Sequence, residues 1–267
     1  MPLDAMHACF NTLHDQDTPL LLPNAWDAAS ARLLQECGAS AVATSSAAVA
    51  WARGYADGGA LPREELLSSL RSVTRVVSIP LSADIEDGYG DDPEAVAALA
   101  ADIVDAGAVG INIEDGAGTP DLLAAKIRAI RARLGDTPLF INARTDVYLA
   151  GLAHGDAAVA MTIERLRLYR DAGADGGFVA GLADADAAHR IADAVPLAVN
   201  LMAMPGLPPV AALADAGIRR ISLGPALFKL AYAHADRAAR AFLGGDLAPS
   251  FEVSLDYEAM NRMFVAI

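Results

Sequence analysis

The chain has 267 residues, 54% of them hydrophobic, and carries a net charge of −14 from 34 acidic and 20 basic side chains. That is enough apolar content for a large core in one domain. It is too acidic for a nucleic-acid or anionic-membrane partner, both of which need a basic face. The two cysteines, Cys9 and Cys37, form neither a disulfide framework nor a zinc-site spacing. The opening MPLDAMHACF has early acid and no long apolar run, and no stretch of about 18 apolar residues occurs later, so a soluble, cytoplasmic protein is expected.

Residues 3–15 read as a helix placed to close the base of a barrel. LLLP at 20–23 is the first short buried run, with Asn24 and Asp27 just beyond it, and a helix is expected over 28–37. AVATS at 41–45 comes next, ending in Ser45-Ser46, then a helix over 64–77 and LSADIE at 81–86. Helices over 93–106 and 121–134, opened by Asp92-Pro93 and Thr119-Pro120, flank VGINIE at 109–114. LFINAR at 139–144 precedes a helix over 156–172. GFVAG at 177–181, a helix over 184–194, LAVNL at 197–201, RISLG at 220–224 and a helix over 226–243 complete the series.

QECGASAVA, VDAGAVGIN, RDAGADGGF and ADAGIRRIS repeat one unit, a helix stopped by glycine (Gly38, Gly107, Gly173, Gly217) and then a strand. The runs read as apolar on both faces, as in parallel strands covered by helices. Eight such units predict an α/β protein, a (β/α)8 TIM barrel with extra N- and C-terminal helices. A doubly wound open sheet is disfavoured by the even spacing and by the lack of GxGxxG after the first strand. The barrel spans 1–245. Residues 246–267 form a C-terminal helical extension whose apolar residues Val253, Tyr257, Met260, Met263 and Phe264 are expected to meet another subunit.

Barrel sites lie at the C-terminal ends of strands, and the polar residues collect there. SADIEDGYG brings Asp84, Glu86 and Asp87; the next two strands bring Glu114 and Asp115, then Arg144 and Asp146; Ser45-Ser46 and Asn200 join them. Clustered carboxylates must be protonated or hold a cation. Oxygen ligands favour Mg2+ or Mn2+, and none of the five histidines ends a strand. Asp84 is the candidate direct ligand, with Glu86 and Glu114 acting through water. Arg144 is expected to fork onto a substrate carboxylate, the alternative being an internal ion pair with Glu114 or Asp146. A metal and one arginine suit a small 2-oxo acid, with backbone N–H groups around Ser45, Ser46 and Ala47 as further donors.

These motifs resemble the isocitrate lyase/phosphoenolpyruvate mutase superfamily over nearly the whole chain, from PNAWD at 23–27 to LGPALFKLAY at 223–232. DIEDGYG stands at that family's D-x-D-x-G-Y-G metal motif, with Glu86 replacing the second aspartate. Glu114 falls on the next metal-shell acid, Arg144 in NARTD on the substrate-carboxylate arginine, Ser45-Ser46-Ala47 on the substrate-oxygen segment, and Asp57 in GYADGG on a loop acid. The resemblance implies a Mg2+-dependent enzyme acting on 2-oxo or 2-hydroxy carboxylates through an enolate, and a homotetramer that often exchanges C-terminal helices. The lyases' K-[KR]-C-G-H loop is absent: EDGAGTPDLLAAK has no Cys or His and no early Lys, and Lys126 falls on the next helix. Expected, therefore, is a carbon–carbon lyase performing retro-aldol cleavage or decarboxylation, with water or Tyr89 as proton donor. A 2-oxo-acid-binding barrel without turnover and a carbon–phosphorus enzyme of the phosphonomutase or phosphonopyruvate hydrolase type are the alternatives.

Overall fold

A computed structural model describes residues 2–252 and 255–265. Its strands are β1 (Leu20–Leu22), β2 (Asn24–Ala25), β3 (Val42–Thr44), β4 (Leu81–Asp84), β5 (Gly110–Glu114), β6 (Phe140–Thr145), β7 (Gly176–Val179), β8 (Ala198–Met202) and β9 (Arg220–Ser222). All neighbours pair in parallel, in the order β1-β9-β8-β7-β6-β5-β4-β3-β2. β1 and β2 are two halves of one strand interrupted at Pro23, which cannot donate to a ladder, so the barrel has the eight staves expected. Pro23 still accepts from Ala43 N–H at 3.0 Å. Asn24 seals the seam: its Nδ2 donates to Thr44 O at 2.7 Å, and its Oδ1 accepts from the N–H groups of Leu223 and Gly224, each at 2.9 Å.

The helices are α1 (Leu3–His14), α2 (Ala28–Glu36), α3 (Ser46–Ala52), α4 (Arg63–Thr74), α5 (Pro93–Asp105), α6 (Pro120–Leu134), α7 (Gly155–Ala172), α8 (Ala185–Ala194), α9 (Val210–Asp215), α10 (Ala226–Leu243) and α11 (Tyr257–Val265), with a 3-10 turn at Ala248–Phe251. The expected boundaries hold to within three residues. Local chemistry explains the starts: Asp27 and Ser30 form a reciprocal capping box, and Asp92, Thr119 and Asp184 cap through their side chains. Gly38, Gly107, Gly173 and Gly217 all have positive φ after helix ends, the backbone that the repeat requires. Unforeseen are α3 and α9, both under two turns and too short to carry a periodic signal. No helix among the described residues is long and apolar enough to cross a membrane.

The strands are not apolar on both faces. Ile111, Ile113, Ile141 and Ala143 face the helices in the main core, whereas Ser82, Asn112, Asn142, Asn200 and Arg220 point inward. Asn142 Nδ2 donates to Asn112 Oδ1 at 2.9 Å, and Arg220 on β9 reaches the same oxygen across the barrel at 3.1 Å. The alternation is genuine, but Gly, Ala and Phe at other inward positions hide it in the sequence.

α1 closes the base, as expected. Phe10 is fully buried, packs edge-on against Phe140, and fills the space that a side chain at Gly110 would need. His14 stacks on Phe140, and burial depresses its pKa to about 3, so it is neutral. At the other terminus, Met260, Met263 and Phe264 are half-buried and α11 touches α2, while Tyr257 is exposed and Val253 lies outside the described residues. α10 has one buried residue, Phe228, and exposes Leu230, Tyr232, Phe242 and Leu243. Beside β1, an apolar groove of about 950 Å³ is lined by Leu13, Leu21, Leu34, Val210 and Leu227.

Replacing Phe10 with Ala should lower unfolding free energy by about 3–5 kcal/mol, the usual cost of emptying an aromatic core site. Urea denaturation measures it; a loss under about 1 kcal/mol means the base tolerates an open plug.

Candidate active site

The C-terminal rim gathers Asp84 from β4, Glu86 from the loop after it, Glu114 from β5, and Arg144 and Asp146 from the end of β6. Strand register sets Glu114 beside Arg144 and Asp84 beside Asn112, two residues before Glu114 on β5, so the three charged side chains point inward at the C-terminal ends of three neighbouring strands, where Asp84 acts on both Glu114 and Arg144. Asp84 Oδ2 accepts from both the backbone N–H and the hydroxyl of Ser46, at 3.1 and 3.0 Å. Its own N–H donates to Thr44 Oγ1 at 2.8 Å.

The Ser45–Ala47 segment is thus the first turn of α3 and partly committed within the protein. Ser45 Oγ accepts from Ala48 N–H at 3.4 Å, and Ser46 holds Asp84. Ala47 is buried between them, and its N–H has no intrahelical acceptor.

Glu86 sits on a strained turn. Glu86 and Tyr89 adopt positive φ (52° and 60°), a conformation that costs non-glycine residues about 1–3 kcal/mol. The surroundings enforce it: Glu114 N–H donates to Glu86 O at 2.9 Å, Tyr89 N–H to Asp87 Oδ1 at 2.9 Å, and Lys126 Nζ to Asp87 O at 2.8 Å. Lys126 on α6 is itself buried, with the carboxylates of Asp87 and Asp91 each at 4.0 Å. From the opposite side, Gly59 N–H donates to Glu86 Oε2 at 2.5 Å, and exposed Asp57 lies in the same loop.

Arg144 makes both internal ion pairs. Its Nε and Nη2 fork onto Asp146 at 2.6 and 2.9 Å, and Nη1 meets Glu114 Oε2 at 2.6 Å. The guanidinium lies 5.6 Å from the centre of the Phe178 ring. Asp115 does not face the mouth. Its buried carboxylate turns behind β6, accepting from Asp146 N–H (3.0 Å), Arg165 Nη1 (2.7 Å) and the Tyr169 hydroxyl (2.6 Å). Asn200 is fully buried one layer below the rim, bonded to Leu201 O and Ser222 Oγ. Asp27 is spent as the cap of α2.

Burial dominates the titration of the rim. It raises Glu86 to about 7, against the Gly59 hydrogen bond and with help from Asp57, Asp84 and Asp87. It raises Glu114 to about 8, although Arg144 pulls the other way. The Tyr89 phenol, buried beside Glu86 without a well-formed hydrogen bond, is pushed far up and stays protonated.

Among the described residues no three His, Cys, Asp or Glu side chains converge closely enough to hold a metal alone. An oxygen-only set in which Asp84 binds directly and the glutamates act through water fits Mg2+, which keeps several waters. Glu86 Oε1, buried without a partner, is the atom such a hydrated ion would satisfy. Sequence reasoning assigns no role to Lys126, Arg165 or Tyr169. Each lies on an outer helix at a position with no motif, and its partners are apparent only in space.

A family model described as phosphoenolpyruvate phosphomutase matches residues 10–243. An uncharacterized protein of Mycobacterium tuberculosis is 38% identical over 244 residues, covering 90% of this chain and 91% of its own length. The 2-methylisocitrate lyase of Escherichia coli is 30% identical over 218 residues, covering 75% of this chain and 71% of the enzyme. A solved structure of 2,3-dimethylmalate lyase, a PEP mutase/isocitrate lyase superfamily member, superimposes with a TM-score of 0.83 at 26% identity. That similarity covers 97% of this chain and 94% of the lyase.

The folded state should bind more protons than the unfolded chain between pH 4.5, an ordinary glutamate's value, and about 8. The contribution of these two groups to stability therefore falls as pH rises through that window. In chelator, the melting temperature of Glu114→Gln should decline less between pH 6 and 9 than that of the parent, and added Mg2+ should stabilise the parent more at pH 9 than at pH 6. Parallel melting curves for the two proteins would contradict the assignment. Separately, Asp115→Asn should cost about 3 kcal/mol in denaturant unfolding, because it breaks a buried charge pair.

Proposed function

The chain belongs to the phosphoenolpyruvate phosphomutase family within the PEP mutase/isocitrate lyase superfamily of enzymes, and from that membership we propose a Mg2+-dependent carbon–carbon lyase for a small 2-hydroxy or 2-oxo carboxylic acid. The observation that carries the reading is the convergence of Asp84, Glu114 and Arg144 at the C-terminal ends of three neighbouring strands, with Arg144 paired to Glu114. That convergence would bring a cation-binding carboxylate and a carboxylate-binding guanidinium together at the barrel mouth.

Asp84 would hold the divalent ion directly, with Glu86 and Glu114 behind its waters, and the ion would supply Lewis-acid polarisation of the substrate's hydroxyl or keto oxygen. Arg144 is kept in place by Asp146 and Glu114, so the N–H bonds those two leave free anchor the substrate carboxylate. Phe178 beneath Arg144 keeps water from that side. In retro-aldol cleavage the hydroxyl proton departs to a base and a carbonyl forms as the adjacent C–C bond breaks. The electron pair on the released carbon then takes a proton, yielding a 2-oxo acid and a saturated acid. Tyr89, whose phenol holds its proton across neutral pH, suits the donor role better than the acceptor role. Asp57, exposed on the loop whose Gly59 contacts Glu86, would assist from solvent. The names of the 2-methylisocitrate and 2,3-dimethylmalate lyases favour retro-aldol cleavage over decarboxylation. The family model's phosphomutase description supports carbon–phosphorus chemistry as the second reading.

The assembly proposed is a homotetramer. The exposed apolar residues of α10 and the apolar groove beside β1 are the surfaces that another subunit would cover.

Incubation with Mg2+ and a panel of malate- and isocitrate-type acids, oxaloacetate and phosphonopyruvate separates the readings by product: a 2-oxo acid with a saturated acid, CO2, or phosphate or phosphoenolpyruvate. Ligand-dependent stabilisation without any product would replace the lyase with a binding protein. Asp84→Ala should abolish Mg2+-dependent stabilisation. Arg144→Ala should weaken carboxylate binding by about 2–5 kcal/mol; unchanged affinity would remove Arg144 from the site.

A further inference from the structure

Arg220 is the largest side chain among those with essentially no exposed surface. It lies on β9 and points into the barrel. Its Nη2 donates to Asn112 Oδ1 at 3.1 Å, while Nε and Nη1 have no protein acceptor. Among the described residues no carboxylate comes within 4.0 Å of it, so a full charge is buried without an ion-pair partner. The Phe10 plug lies on one side, with its ring centre 6.0 Å away. On the other is the acid layer: Asn112, which takes the Arg220 hydrogen bond, is the register partner of Asp84 on β4. Burial lowers the Arg220 pKa to about 9, Asp84 opposes that shift, and the group remains charged at neutral pH.

A buried guanidinium so poorly paired is costly unless a field stabilises it. The field that reaches it is that of Asp84, one of the four rim acids Asp84, Glu86, Glu114 and Asp146. With a divalent cation bound and all four carboxylates ionised, Arg144 and Arg220 would offset two of the four negative charges and the cation the other two. Without Arg220 the layer would present three.

We propose that Arg220 is a positioning residue for the metal site, an interior cation that acts through Asn112 and Asp84 to match the charge of the acid layer to a divalent ion. The inference rests on the Mg2+ site proposed for Asp84. It predicts a gain of affinity on mutation, the opposite of what loss of structural support would produce.

Mn2+ binding by calorimetry and Tb3+ binding by luminescence, at one pH and on variants whose circular dichroism matches the parent, test it. Arg220→Met should bind Mn2+ roughly tenfold more tightly, and Tb3+ should gain roughly thirtyfold, since Coulomb energy scales with ion charge. Arg220→Gln, which keeps a donor for Asn112, should behave in the same way, and Arg220→Lys should stay near the parent. If the parent binds Mn2+ and Asp84→Ala does not, unchanged or weakened Mn2+ affinity in the neutral variants overturns the inference alone. If Asp84→Ala binds Mn2+ as well as the parent does, the metal reading fails and takes the inference with it.

Discussion

Repulsion between carboxylates crowded onto one barrel rim is the constraint around which the rest of the site is arranged. Asp84, Glu86, Glu114 and Asp146 come from three neighbouring strand ends, and burial deprives two of them of the water that would screen them. The protein answers with guanidinium groups on two levels. Arg144 lies among the acids and pairs with two of them; Arg220 lies below, touching none. Burial, with a smaller share from the repulsion that remains, raises the proton affinity of Glu86 and Glu114.

Holding such groups in place requires support from outside the barrel. The left-handed turn that aims Glu86 is sustained by hydrogen bonds from three directions, one of them from buried Lys126 on α6. Asp115 braces Asp146 from behind, tying the end of β6 to α7 through Arg165 and Tyr169. Asn24 fastens the seam where Pro23 interrupts the first strand. The polar barrel interior belongs to the same scheme. Its asparagines bond one another, Ser222 and Arg220, and an all-apolar filling would leave Arg220 without any acceptor.

Between β5 and α6, where the lyases that this sequence resembles carry a cysteine-bearing loop, the chain has neither cysteine nor histidine. Only Gly116–Thr119 separates the end of β5 from α6 on that side, apart from Asp115 itself. In the proposed lyase the acid–base groups left would be Tyr89, the rim glutamates and Asp57. A site built from these relies on electrostatic placement more than on a dedicated proton shuttle.

The order of helices and strands, the barrel class and the identity of the rim acids were legible in the linear chain. Glycine stops, capping residues and strand-end carboxylates act locally and leave a pattern within a few positions. Ser45, Ser46, Ala47, Asp84, Glu86, Glu114 and Arg144 do meet at one end of the barrel, but the partners within that group follow from geometry. Arg144 holds both acids offered as its alternative partners, Ser46 holds Asp84, and Asn200 lies below the mouth. Asp115 faces outward because its neighbour Glu114 faces inward, an alternation that no composition count reveals. The burial of Arg220 was hidden most completely. An arginine in a strand reads as a solvent-facing charge until barrel closure places β5 opposite β9 and encloses it. Local conformation is set by neighbours along the chain, but the cost of burying a charge is set by everything that surrounds it in space.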